Sequence, residues 1–208
     1  MNTKSILMVR HGATAETENH QFAGSTDSPL SAKGRLKAES LRSSMVAYAP
    51  DACLCSPMLR CQETASILLP EGRPAIEVME DLREMNFGDW EGKTFEEIAA
   101  VDQCGLDRMW AFDPNFAPSG GESLGEFFAR VQRVGERTKT SLSKKILVVT
   151  HGGVIRSLLQ SFFQFQTCGS FYAFEIAVCS MVEVILYQDG TATLRRLVPC
   201  ELRMEEQP

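Results

Sequence analysis

The chain has 208 residues, 44% of them hydrophobic, enough for one sizeable α/β core, and a single domain over 1–208 is expected. Its formal net charge of −6, from 21 Lys+Arg against 27 Asp+Glu, argues against nucleic-acid and anionic-membrane partners, which need a basic face. No apolar run approaches the roughly 18 residues that span a bilayer, and Met1-Asn2-Thr3-Lys4-Ser5 leads into a strand instead of an apolar leader, so a cytoplasmic protein is expected.

The first predicted element is a buried strand over 5–10, where Ile6-Leu7-Met8-Val9 forms the continuous apolar run of a parallel sheet covered on both faces. A helix over 32–48 follows, entered through Pro29-Leu30-Ser31, then a weaker strand over 52–56 and a helix over 58–69 that stops before Pro70. Residues 75–79 make another weak strand, and Thr94 with Glu97 starts a short helix. The Pro- and Gly-rich stretch 111–122 reads as an ordered loop. Helical periodicity is clearest over 123–142, where Leu124, Phe127, Phe128, Val131 and Val134 recur at three- and four-residue steps behind a Ser123/Glu126 capping box. A second buried strand over 146–150 is followed by a helix over 154–163, and 180–187 with 192–198 flank Asp189-Gly190 as a hairpin. Strands alternating with helices predict a three-layer α/β/α sandwich, its mostly parallel sheet ending in an antiparallel edge.

The two strongest strands share an ending. Ile6–Val9 runs into Arg10-His11-Gly12, and Ile146-Leu147-Val148-Val149 runs into Thr150-His151-Gly152-Gly153, so two of the three histidines stand just past strand ends. Ligands of open α/β sheets bind outside the carboxyl ends of the strands, and if these two are neighbours their histidines face one pocket. Arg10 would be costly to bury there without an anionic partner, and Thr14 offers a hydroxyl to the same place. In Ser56-Pro57-Met58-Leu59-Arg60 a strand end is followed by a helix whose first turn presents Arg60 toward the same side. Gly152 and Gly153 let backbone approach a ligand, with the N-terminal amides of the next helix aimed at it, an anion site by construction. In Leu82-Arg83-Glu84-Met85-Asn86-Phe87-Gly88-Asp89-Trp90-Glu91-Gly92 composition alone does not choose among the carboxylates. Seven cysteines (53, 55, 61, 104, 168, 179, 200), odd in number and without a C-x-x-C pair, read as reduced thiols, neither a disulfide framework nor a zinc site.

RHGAT, SPMLRCQETA, LREMNFGDWEG and VVTHGG, in this order, resemble the histidine phosphatase superfamily, the phosphoglycerate-mutase-like enzymes, from Ile6 to about Val198. The resemblance implies that His11 is the nucleophile, carrying the phosphoryl group on a ring nitrogen before water takes it. It implies that Arg10, Arg60 and His151 hold the phosphoryl oxygens, that Glu84 is the acid and base with Asp81 in reserve, and that neither metal nor cofactor takes part. Thr14, Thr17, Gly24 and Gly152 complete the substrate-binding set. Two cationic neighbours would keep the His11 ring neutral and its lone pair free. The sequence departs from the family at Ala13, where an acidic or amide residue is common, and at Thr17, where asparagine is; both positions bear on substrate preference.

The stretch 85–150 is short and its middle contains few basic residues, which favours a phosphatase over a mutase. The segments Gly24–Leu30, Asn86–Glu91 and Pro118–Ser123 look most like phosphatases acting on α-ribazole 5′-phosphate in cobalamin biosynthesis. The expected partner is thus a small phosphomonoester. A broad-specificity phosphatase, a phosphoglycerate mutase and a catalytically silent phosphate-binding module are the competing readings.

Overall fold

A computed structural model describes residues 3–69, 74–164 and 168–198, with backbone alone at 168–170. Six strands, β1 (Lys4–Arg10), β2 (Ala52–Cys55), β3 (Ile76–Val78), β4 (Lys145–Thr150), β5 (Met181–Leu186) and β6 (Ala192–Val198), form one sheet in the order β3-β2-β4-β1-β5-β6. The pairs β1/β4, β4/β2 and β2/β3 are parallel, whereas β5 is antiparallel to β1 and to β6. The register sets Arg10 beside Thr150, so His11 and His151 leave adjacent strands at the same level.

Seven helices in the described residues cover the sheet: α1 (Ala15–Glu18), α2 (Ala32–Ser40), α3 (Arg42–Tyr48), α4 (Leu59–Leu68), α5 (Phe95–Trp110), α6 (Leu124–Thr140) and α7 (Gly152–Phe163). Successive strand side chains point to opposite faces, and the core divides accordingly. Ile6, Met8, Ile146 and Val148 pack with residues of α5, α6 and α7. Leu7, Val9, Leu147 and Val149 pack with residues of α2, α3 and α4. Burial on both faces is why the middles of β1 (Ile6–Val9) and β4 (Ile146–Val149) are apolar, and the result is the expected three-layer sandwich.

Two predicted elements need correction. The helix expected over 32–48 is two helices, broken at Leu41, whose N–H turns back to Ala38 and Glu39 in a tightened last turn. The Ser40 hydroxyl donates to the Lys37 carbonyl at 2.7 Å in that last turn, the local backbone competition that makes serine a weak helix former. The helix beginning at Thr94 is not short. It keeps its Thr94/Glu97 capping box but runs sixteen residues, with a kink at Asp102, whose carboxylate accepts the Gly105 N–H and the Trp90 indole N–H. Cys53, Cys55, Cys61 and Cys179 are buried and Cys104 is exposed; the Cys168 side chain and Cys200 lie outside the described residues.

Candidate active site

Each parallel strand delivers something to one end of the sheet: β1 gives Arg10 and His11, β4 gives His151, β2 leads to Ser56 and Arg60, and the turn after β3 carries Glu84. The His11 and His151 ring centroids are 5.1 Å apart at 63°. Both rings are buried. His11 Nδ1 lies 2.7 Å from the Gly12 carbonyl, which can only accept, so the ring proton belongs on Nδ1 and Nε2 keeps its lone pair. Burial, reinforced by the Arg10 and Arg60 charges, holds the His11 imidazole well below its ordinary value. The Gly12 N–H donates to Thr64 Oγ1 at 3.0 Å, and the Thr64 hydroxyl donates to the Arg60 carbonyl at 2.7 Å, which ties the β1 exit to the first turn of α4.

His151 is the residue before α7 and shares a 2.8 Å hydrogen bond between its Nε2 and Ser56 Oγ, with Cys61 Sγ 3.5 Å from the same nitrogen. Burial comes first, then His11, Arg60 and Arg10, in holding this imidazole well below its ordinary value too. Burial also pushes the Cys61 thiol up to about 12, so it stays protonated beside the histidine.

The arginines are held by carbonyls. Arg60, 1% exposed, gives Nη1 to Thr26 (2.6 Å) and Nη2 to Gly24 (2.8 Å) and Ala23 (3.3 Å). Arg10 gives Nη1 to Ile176 at 2.6 Å, and burial lowers its guanidinium while Glu84 opposes the shift. The Nε–H of each is buried with no protein acceptor. Carbonyls orient a guanidinium without neutralising it, so both positive charges remain available to an anion.

Glu84 is held at the start of α7. Its Oε2 accepts the Gly153 N–H at 3.0 Å and its Oε1 the Met85 N–H at 3.1 Å. A Cβ on Gly153 would stand 2.5 Å from Oε1, so glycine at this position lets the helix end approach the acid, while a Cβ on Gly152 would be in ordinary van der Waals contact with the Arg10 guanidinium. Asp81 instead faces α6, bonded to Arg133 at 2.6 and 3.0 Å.

Of the residues singled out in the sequence, Arg10, His11, Arg60, Glu84, His151 and Gly152 therefore gather at one place. Gly24 joins them through its carbonyl on Arg60, and a side chain there would run into the Met85 carbonyl. Thr14 and Thr17 cap α1 for each other: Thr17 Oγ1 accepts the Thr14 N–H at 2.8 Å and Thr14 Oγ1 the Thr17 N–H at 3.4 Å. Ala13 is buried, its carbonyl accepting the Ser31 N–H.

Sequence reasoning missed Ser56 as the partner of His151, although it lies in a motif already singled out. It also missed Arg130, which grips the acid-bearing turn from α6: its guanidinium donates to the carbonyls of Asp81 (3.0 Å), Arg83 (2.6 Å) and Glu84 (3.0 Å) while paired with Glu122. Nothing in the local pattern distinguishes Arg130 from the other basic residues of α6.

Positive charge that the protein orients but does not cancel, focused on a neutral imidazole with a free lone pair, suits a phosphoryl group and defines a histidine acid-phosphatase type of enzyme site. The sequence profile of the histidine phosphatase superfamily (branch 1) matches residues 6–198, and the chain belongs to that family. It is 33% identical over 158 residues to an adenosylcobalamin/α-ribazole phosphatase of Salmonella typhimurium, covering 74% of this chain and 77% of that one. It is 29% identical over 209 residues to a 2,3-bisphosphoglycerate-dependent phosphoglycerate mutase of Gloeobacter violaceus, covering 98% and 95%. The crystal structure of a putative α-ribazole-5′-phosphate phosphatase of Escherichia coli K-12 superposes with a TM-score of 0.84 at 27% identity, over 97% of this chain and 99% of that one.

Proposed function

We propose that the protein is a phosphomonoesterase that works through a phosphohistidine on His11 and acts on α-ribazole 5′-phosphate or the corresponding cobalamin phosphate. The observation that carries the chemistry is the His11 ring, its Nδ1 proton fixed on the Gly12 carbonyl and its Nε2 lone pair left free, with the Arg10 and Arg60 charges acting on it. Nε2 attacks phosphorus and the ester oxygen leaves, taking a proton from the Glu84 carboxylic acid. The resulting carboxylate then removes a proton from water, whose oxygen attacks phosphorus as the P–N bond breaks, releasing phosphate and restoring both groups. Arg10, Arg60 and His151 bear the charge that spreads over the equatorial oxygens. The substrate assignment draws on the named relatives.

The test is a panel of phosphomonoesters with purified protein, read as kcat/KM. α-Ribazole 5′-phosphate is expected to exceed 3-phosphoglycerate and simple sugar phosphates by at least tenfold, and His11→Ala to abolish turnover and acid-labile phosphoprotein together. Preferred turnover of 3-phosphoglycerate would shift the reading toward the mutases, with which the chain aligns along nearly its whole length. Phosphate binding without any turnover would make the protein a silent binding module.

A further inference from the structure

Beside the acid lies a cavity of about 230 Å³ whose wall is largely aromatic, completed by Met85, Met109 and Leu124. Phe22 and Phe87 line it together with Trp110 at the C-terminal end of α5, Phe112 just beyond that helix, Phe128 of α6, and Tyr172. Glu84 and Gly153 are among its lining residues, so it adjoins the carboxylate that the phosphoryl chemistry uses. Whole-ligand pockets commonly measure roughly 300–1,000 Å³. This one has room for a single ring system, with the rest of the molecule outside it.

The rings are arranged for contact with another ring. Trp110 and Tyr172 lie 4.6 Å apart at 55°, Phe112 and Tyr172 5.6 Å apart at 63°, and both Trp110 and Tyr172 are about 40% exposed, so their outer faces are open. Phe112 sits at φ +57°, a left-handed conformation that is uncommon for a bulky residue, and the turn so formed brings its ring to the cavity. The polar side chains at the cavity are few. Arg156, one turn into α7 beyond Gly153, places its guanidinium carbon 5.9 Å from the Tyr172 ring centre while its Nε–H donates to the Phe174 carbonyl at 3.1 Å. A cation over aromatic faces at that distance favours an additional electron-rich ring in the same stack.

We infer that this aromatic cavity seats the leaving group, and that the enzyme selects phosphomonoesters whose alcohol carries a planar ring system, with Trp110, Phe112 and Tyr172 as specificity residues. The inference rests on the phosphatase reading above. It goes further in naming the part of the substrate that is recognised and the side chains that recognise it. The phosphate stays with the histidines, the ester oxygen lies at Glu84, and the ring, one sugar's length further on, enters the cavity.

The test compares ribose 5-phosphate, adenosine 5′-monophosphate and α-ribazole 5′-phosphate, which share the ester and the pentose and differ in the ring. In the wild type at least one ring-bearing ester is expected to exceed ribose 5-phosphate in kcat/KM by tenfold or more. Stacking on one aromatic side chain is worth about 1–3 kcal/mol by alanine substitution, so Trp110→Ala or Tyr172→Ala should shrink that ratio about fivefold or more. Trp110→Phe and Tyr172→Phe should restore most of it. A general loss of structure lowers turnover of all three esters alike and leaves the ratio in place, which would overturn the inference. So would a wild type indifferent to the ring. Preference for the adenine ester over α-ribazole phosphate would remove the substrate named above yet keep the cavity's role. Absence of turnover and of phosphohistidine would remove the phosphatase reading itself.

Discussion

Glu84 is asked for two opposite acts, giving a proton to the leaving oxygen and then taking one from water, and the two can be separated by the leaving group. An alkoxide needs the proton; a nitrophenolate hardly does. Glu84→Gln keeps the side-chain shape and its acceptor oxygen for the Gly153 N–H but removes the transferable proton. With a sugar or nucleoside phosphate the variant should form phosphohistidine slowly, with kcat down by about 10²–10⁴, the usual worth of a positioned acid or base. With p-nitrophenyl phosphate the first step survives and the second fails, so phosphohistidine should accumulate in a burst, visible in rapid-quench labelling. The same loss on both esters, without a burst, would assign the proton transfers elsewhere. Asp81, bonded to Arg133, is the carboxylate to examine next.

At the scale of elements, α7 and α6 both act on this acid. The N-terminus of α7 offers the Gly153 N–H, and Arg130 of α6 pins three carbonyls of the turn that carries Glu84. Gly153→Ala tests the first contact. The added methyl would lie 2.5 Å from Oε1, and because Gly153 is not among the positive-φ residues, an alanine there is strained only by that collision. The carboxylate must rotate away. We expect kcat to fall about 10–100-fold, the scale of a misplacement near 1 Å, with KM little changed and the melting temperature within a few degrees of wild type. Unchanged kcat would show that the Gly153 contact does not position the acid. The glycine pair itself was legible in the sequence, as were both histidines, because short-range patterns announce them: an apolar run, then His-Gly. Arg130, Ser56 and the aromatic wall were not legible as a set, since they meet only through contacts of long sequence separation. The two misjudged helices have the same origin. A break at Leu41 and a kink at Asp102 depend on single backbone and side-chain bonds that periodicity averages away.

For the whole molecule, the sheet order puts the two histidine-bearing strands side by side at the centre, and the same burial that keeps the rings neutral links the site to stability. Both imidazoles titrate well below their ordinary value in the folded protein, chiefly through burial, while in the unfolded chain they return to about 6.5. Below that pH the unfolded chain binds more protons than the folded one, so acidification favours unfolding. Their contribution is intact above about pH 6.5 and is lost as pH falls, at up to about 1.4 kcal/mol per pH unit for each ring. Ordinary carboxylates titrate lower, near 4, so the interval from pH 6.5 to 5 reports mainly on imidazoles. In His11→Asn one of the two buried rings no longer titrates, and the slope of unfolding free energy over that interval, from urea titrations, should flatten by up to about 1.4 kcal/mol per unit. Equal slopes in wild type and variant would mean that the His11 ring is not held neutral by the fold, and the lone pair that the proposed attack requires would then be available only at higher pH.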